Sequence, residues 1–262
     1  MTFGSDLPKG ANMFSLRPQH LTGVASVVTR LRTAIDLGFF EDGEMLPKEA
    51  LLSRELHVTA FTLREALSEL RIEGLVDTKP GRGGGTFVQR TSTVAHDKAE
   101  IRLRNLSATA LRDLSDWKAM LLGEAAELAA TRASTTNLVR LNEYSARVLA
   151  AKTPVEACRA HARFDIEMAA AAQSVRLSAA ALQVYEEYSW LLALAHEDQS
   201  YTENCAQTLD AITQLISQRN SSQAGSLARN RTRVSFELVA KKRLRLIASS
   251  THSSDLEDSR HE

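Results

Sequence analysis

Glycine and proline are scarce in this chain. Its 262 residues hold twelve glycines and five prolines, and the glycines crowd around residues 81–85. An all-β protein needs a turn every few residues, so that class is excluded. Cysteine is scarcer still, with Cys158 and Cys205 the only two. They make no disulfide framework and read as two buried thiols. Net charge is missing too, because 32 basic residues balance 32 acidic ones. Bulk positive charge therefore cannot bring nucleic acid to the chain, and any DNA contact must come from local arrangement. No uninterrupted apolar run approaches the roughly 18 residues of a membrane helix. Residues 1–20 contain no apolar signal core. The expectation is a cytoplasmic protein with no membrane partner.

What is present is ordinary globular material, 44% hydrophobic and 24% charged, enough for two domains of normal size. Alanine and leucine, both good helix formers, dominate after residue 108. The expected fold is mostly α: an N-terminal winged helix-turn-helix plus a C-terminal all-helical antiparallel bundle. Residues 1–20 read as a flexible arm, 21–90 as the winged domain and 91–107 as a polar, irregular linker. Residues 108–247 read as the bundle, and the serine-rich, charged residues 248–262 as a disordered tail.

The first domain is legible in some detail. Val24, Val27, Val28, Leu31 and Ile35 share one face of a helix over residues 24–37, which Gly38 stops. Asp42-Gly43 marks a turn, and Leu46-Pro47 introduces a second helix over 48–56 with Leu51, Leu52 and Leu56 inward. Thr59 suits the N-cap of a third helix over 60–73, whose apolar face carries Leu63, Ala66, Leu67 and Leu70. Gly74 suits its left-handed cap. Strands over 75–79 and 86–89 flank a glycine-rich tip. Three helices and this hairpin make a winged helix-turn-helix.

Such a domain reads double-stranded DNA with the start of its third helix. Thr59, Ala60, Phe61, Thr62 and Arg64 lie there. Arg64 has the reach for a phosphate or a guanine edge, and Phe61 for a thymine methyl. Lys79, Arg82 and Gly83 supply charge and close backbone approach in the wing. Arg54 and Arg71 offer phosphate contacts or simply a solvated face.

Beyond residue 108 the helical spans are 109–133, 136–151, 155–173, 176–197, 203–219 and 222–247, with short breaks suited to antiparallel neighbours. Tyr185, Tyr188, Trp190, Leu191 and Leu192 read as packing residues. Glu186 and Glu187 are adjacent, so they point apart on a helix and make no carboxylate pair. The chain has no nucleophile elbow, phosphate loop, dinucleotide fingerprint or paired Cys-x-x-Cys, and it reads as no enzyme.

The run from Met45 through Leu46-Pro47-Lys48-Glu49 to Thr59, then Leu63-Arg64-Glu65-Ala66-Leu67, Glu73-Gly74-Leu75-Val76 and Gly83-Gly84-Gly85-Thr86-Phe87-Val88, resembles the GntR family of transcription regulators. The helical remainder resembles the FCD effector domain of its FadR-like branch. Two departures stand out: Ala50 and Ala60 occupy positions where the family usually carries arginine, leaving Arg64 of three. The resemblance implies a homodimer that binds an inverted-repeat operator and responds to a small, acidic metabolite. The alternative is a helical sensor or interaction protein with weakened DNA binding.

FCD domains often hold a divalent metal on one aspartate and three histidines. The resemblance places His161 and Asp165 at the first two positions with their types exchanged, Cys205 at the third, and Arg231, which ligates no metal, at the fourth. Three readings stay open. His161, Asp165 and Cys205, with Cys158 a turn away, form an altered site for a metal such as zinc. Alternatively no metal is bound, and Arg231 with Lys118 clamps a carboxylate effector. In the third reading, His161 and Asp165 satisfy Arg231 and nothing binds.

Overall fold

A computed structural model describes residues 23–81, 84–89 and 94–258 of the chain. The chain forms two compact units. The first reaches Ser92 and also takes in Ser178–Glu187, and the second comprises Thr93–Leu177 and Tyr188–Glu262. No helix among the described residues is long and apolar enough to cross a membrane.

In the first unit, α1 spans Val24–Asp36, α2 Glu49–Leu56 and α3 Ala60–Ile72. The predicted apolar faces meet in one core. Val27, Leu31 and Ile35 of α1, Leu52 and Leu56 of α2, and Leu63, Ala66 and Leu70 of α3 are all buried. Val24 and Leu51 are only half-buried, at the margin of that core. Arg30 is buried as well. Its Nη1 donates to the Leu56 carbonyl at 3.1 Å, supplying positive charge where the last carbonyls of α2 need a donor. Thr59 caps α3, its Oγ1 accepting from the Thr62 amide at 3.1 Å. Gly74 closes the helix at φ +75°, a conformation that costs a residue with a Cβ about 1 kcal/mol. Strands β1 (Val76–Lys79) and β2 (Gly85–Val88) pair antiparallel with Val76 opposite Val88. Met45 bridges to Phe87, adding a short third edge. Arg82, Gly83 and the expected arm at residues 1–20 lie outside the described residues.

The rest of the chain is helical among the described residues: α4 Val94–Asn105, α5 Ala108–Arg132, α6 Thr135–Ala150, α7 Pro154–Ala171, α8 Val175–Ala195, α9 Gln199–Ser217 and α10 Ser221–Asp258, all in the second unit except Ser178–Glu187 of α8. Polar caps set most helix starts. Ser107, Ser134, Thr153 and Asp198 each accept a backbone N–H of the first turn. Asp198 explains why α9 begins at Gln199, where the sequence suggested a break. Helices α5 and α10 pack most closely. A Cβ on Gly123 would meet the Arg229 side chain, and one on Gly225 would meet Glu127. Arg229 and Glu127 themselves pair at 2.6 Å. Helix α7 lies against α5 and α6, and α9 against α5, α6 and α10. Helix α8 departs from helical geometry at Tyr188, with φ −134° and ψ 15°. Tyr185, Leu191 and Leu192 are buried, as packing residues should be, while Tyr188 and Trp190 are half-buried.

Two sequence expectations are corrected. The segment expected as an irregular linker contains helix α4. Its polar composition hides a narrow apolar stripe, in which Ala99 and Leu103 are buried. The expected disordered tail continues α10 as far as Asp258. No proline or glycine follows Gly225, so nothing local ends the helix. Because Leu103 is fully buried, Leu103→Ala should destabilise the protein by about 2–4 kcal/mol in chemical denaturation. A change near zero would mean that α4 does not dock.

Candidate functional site

The first unit presents one polar surface built from α2, the turn after it and the start of α3. His57 adopts the left-handed conformation at φ 56°, which makes the connection tight. An open cleft is lined by Ser53, Arg54, His57, Val58, Thr59 and Thr62. Thr59 and Thr62 hydroxyls lie 2.9 Å apart. Ala60 is exposed, and Phe61 is 68% exposed, far more than an aromatic ring usually is. Arg64 Nε donates to Glu49 Oε2 at 3.0 Å. That ion pair joins α3 to α2, and sequence spacing alone does not reveal it. Arg54 pairs with Glu55 at 3.5 Å and remains largely exposed. Arg71 donates to Thr78 Oγ1 at 2.7 Å and so braces the wing. Lys79 Nζ lies 4.8 Å from the Phe87 ring centroid. The surface thus unites Arg54, Thr59, Ala60, Phe61, Thr62 and Arg64, with Lys79 on the hairpin.

The second unit buries a polar cluster. His161 and Asp165 are one turn apart on α7 and face inward, 1% and 0% exposed. Lys118 comes from α5, Tyr201, Thr202 and Cys205 from α9, and Arg231 from α10. His196 terminates α8 and is also buried. All the residues expected from sequence converge here. Tyr201 and Thr202 join them from the same face of α9, four and three residues before Cys205, and His196 joins without a sequence signal, because a cap residue has no periodic relation to the helices it meets.

The hydrogen bonds run in one direction. Arg231 Nη2 donates to Asp165 Oδ1, and its Nη1 donates to His161 Nε2. A guanidinium has no acceptor, so His161 Nε2 carries no proton and neutral His161 is protonated on Nδ1. That N–H faces His196 Nε2 at 3.0 Å and Cys205 Sγ at 3.4 Å. His196 therefore keeps its own proton on Nδ1 and donates it to Thr202 Oγ1 at 3.0 Å. Thr202 ends the chain on the carbonyls of His196 and Asp198, at 3.3 and 3.2 Å. Burial, reinforced by the Arg231 charge, pushes His161 well below the usual histidine range and His196 down to about 3. Both rings stay neutral at physiological pH. Burial also pushes the Cys205 thiol up to about 11.

Two cations meet in this interior. Burial lowers Lys118 to about 8, with Asp165 opposing that shift and Arg231 adding to it. At neutral pH Lys118 and Arg231 are both cations. The Tyr201 hydroxyl is buried near Cys205, Ser235 and Arg231, and burial pushes it well above the usual phenol range.

A divalent metal on the four family positions does not suit these residues. Arg231 offers donors only, and it occupies Asp165 Oδ1 and His161 Nε2. His161, His196 and Cys205 do bring three possible ligand atoms within 4.8 Å of one another. There, however, His161 Nδ1 holds the proton that continues the chain to His196, and the Lys118 and Arg231 charges repel a cation.

Comparison with known proteins matches both units. The family described as bacterial regulatory proteins, gntR family, matches residues 24–88, and the FCD domain matches residues 113–233. A Mycobacterium gastri protein named RmpR, described as an HTH-type transcriptional regulator, is 40% identical over 162 residues, 62% of this chain and 59% of its own. The Glc operon transcriptional activator of Escherichia coli K12 is 35% identical over 128 residues, 49% of this chain and 48% of its own. The chain thus spans about half the length of the curated relatives it matches. Among solved structures, Escherichia coli McbR/YncC superposes with a TM-score of 0.52 at 13% identity, over 85% of this chain and 99% of that one, a likeness of fold. The matched families are transcription regulators rather than enzymes. A winged unit that matches the gntR family of bacterial regulatory proteins is thus followed by a helical unit that matches the FCD domain.

Proposed function

We propose that the protein is a ligand-responsive regulator that binds an inverted-repeat operator as a homodimer, and that a small carboxylate enters the buried cluster and changes that binding. The convergence of two buried cations, Lys118 and Arg231, carries the effector reading. Positive charge in a low-dielectric interior attracts an anion strongly, and a carboxylate is one that a guanidinium holds well. Arg231 is suited to hold it through two parallel N–H donors, leaving Asp165 or sharing with it. Lys118 adds a point charge, and the Tyr201 hydroxyl lies close to Arg231. His161 and Cys205 line the same space as neutral groups. No metal is required in this reading.

DNA binding rests on α3, the cleft before it and the wing. Arg64, Arg54, Lys79 and Arg82 meet phosphates or a base edge, while Thr59, Ala60, Thr62 and Gly83 allow close approach. Phe61 meets a thymine methyl, which gives its exposed ring a purpose. With alanines at positions 50 and 60, Arg64 carries more of the contact than one arginine among three would. One winged unit reads too few bases for a specific site, so a two-fold dimer on paired half-sites follows.

Arg64→Ala should weaken operator binding by about 1–3 kcal/mol at fixed salt. Footprints should cover an inverted repeat. Unchanged affinity, or a stable monomer near 28.8 kDa in light scattering, would favour the reading of a helical sensor with weakened DNA binding.

For the cluster, succinate serves as the probe. Arg231→Ala should abolish its effect on DNA binding, measured on protein that circular dichroism shows to be folded. The pH dependence has a definite sign. An anion raises the Lys118 pKa from about 8, so above that pH binding must take up a proton. Succinate affinity should then fall with rising pH, by at most about tenfold per unit. Lys118→Met should remove that slope. A flat profile in the unaltered protein, measured by calorimetry from pH 7 to 10, would mean that Lys118 does not face the anion.

A further inference from the structure

The polar chain ends beside a second set of charges. His196, the last ring in the chain, is followed by Glu197. Lys242 of α10 holds Glu197 and also Glu100 of α4, the latter at 3.0 Å. All three side chains are largely sheltered, between 23% and 29% exposed. Helix α4 has further holds in the same unit. Arg102 lies over the Trp190 ring at 4.6 Å, and Arg243 Nε donates to the Leu106 carbonyl at 2.6 Å. Helix α4 is the first helix after the wing in the chain, so whatever sets its docking sets where the covalent connection to the DNA-binding unit begins.

We infer that Lys242 is a positioning residue that ties the state of the Arg231 cluster to the docking of α4, through His196 and its neighbour Glu197. The inference rests on reading the cluster as the effector site. While Arg231 donates to His161 Nε2, both histidine tautomers are set and Thr202 holds the corner between α8 and α9. When an anion takes the guanidinium, His161 Nε2 loses its donor. His161 is then free to move its proton from Nδ1 to Nε2, facing the carboxylate of Asp165, whose Oδ2 is 3.7 Å away. Nδ1 becomes an acceptor, and His196 must donate from Nε2. Its Nδ1 then accepts from Thr202 Oγ1, and the hydroxyl proton leaves the carbonyls of His196 and Asp198 that it held. The corner relaxes where His196 closes α8 and Asp198 caps α9. Glu197 lies between those two residues, and Lys242 conveys its displacement to Glu100.

The coupling is testable on the full-length protein by hydrogen exchange of the α4 amides. Lys242→Met should speed exchange there by about fivefold, the scale of a sheltered ion pair. Lys242→Arg should restore it to within about twofold, since either cation bridges two carboxylates. Arg231→Met should also speed α4 exchange, and the Arg231→Met, Lys242→Met double variant should do no more than Lys242→Met alone. Arg231→Met leaves Asp165 buried and unpaired, so it can unfold the unit. Thr202→Val cuts the far end of the chain without changing charge, and should act on α4 in the same way and equally without addition to Lys242→Met. Additive effects, or α4 protection unmoved by Thr202→Val in a folded protein, would overturn the coupling. The cycle contains no ligand. Failure to bind succinate would therefore sink the anion reading while leaving the coupling result standing. If succinate does bind, Lys242→Met should keep its affinity within about twofold while α4 stops responding to it.

Discussion

A guanidinium inside a helical bundle imposes most of the arrangement around it. Arg231 is buried between α7 and α10, and it can only donate. It therefore needs acceptors from a neighbouring helix, and α7 provides two on one face, Asp165 Oδ1 and His161 Nε2. This demand fixes the proton on His161 Nδ1, and that proton orders His196 and Thr202 in turn. Lys118 adds a second buried cation beside the same carboxylate. In the proposed effector reading, an anion that takes Arg231 disturbs the chain of hydrogen bonds that the guanidinium sets.

The relation to other FCD domains is a chemical substitution. Where the family often places a metal among an aspartate and three histidines, this chain places a permanent organic cation. A metal and a guanidinium both attract carboxylates, yet they differ in what they ask of the protein. A metal needs deprotonated ligands in its coordination sphere. A guanidinium needs acceptors in its own plane and leaves the histidine tautomers to be set by its donors. The altered positions follow that difference: Asp165 accepts from the guanidinium, and Cys205 stays a protonated thiol.

The first unit is arranged differently. Arg64 is held against Glu49, which orients its guanidinium and also tempers its charge. Phe61 is left exposed where a buried position would be expected for an aromatic ring. In the proposed DNA-binding role, these two features favour reading base edges by shape and apolar contact.

Much of this was legible in the residues alone. Periodicity of three to four residues revealed the faces of α1 and α3, and Thr59 and Gly74 marked the ends of the recognition helix by their capping chemistry. Spacing also placed His161 and Asp165 on one face, and the resemblance to FCD domains pointed to Cys205 and Arg231. Some elements carried too little signal. Helix α4 buries only a narrow stripe around Ala99 and Leu103, so its composition resembled a linker. The extension of α10 to Asp258 involves serines that local propensity alone would leave unstructured. What the sequence by itself determined was the set of inward faces, because a helix repeats every 3.6 residues whatever surrounds it. Only the tertiary structure decided which face meets which. The joining of His196 to His161, the pairing of Arg64 with Glu49 and the bridging of Glu100 to Glu197 by Lys242 all link different helices, and no local period records a contact made across the space between them.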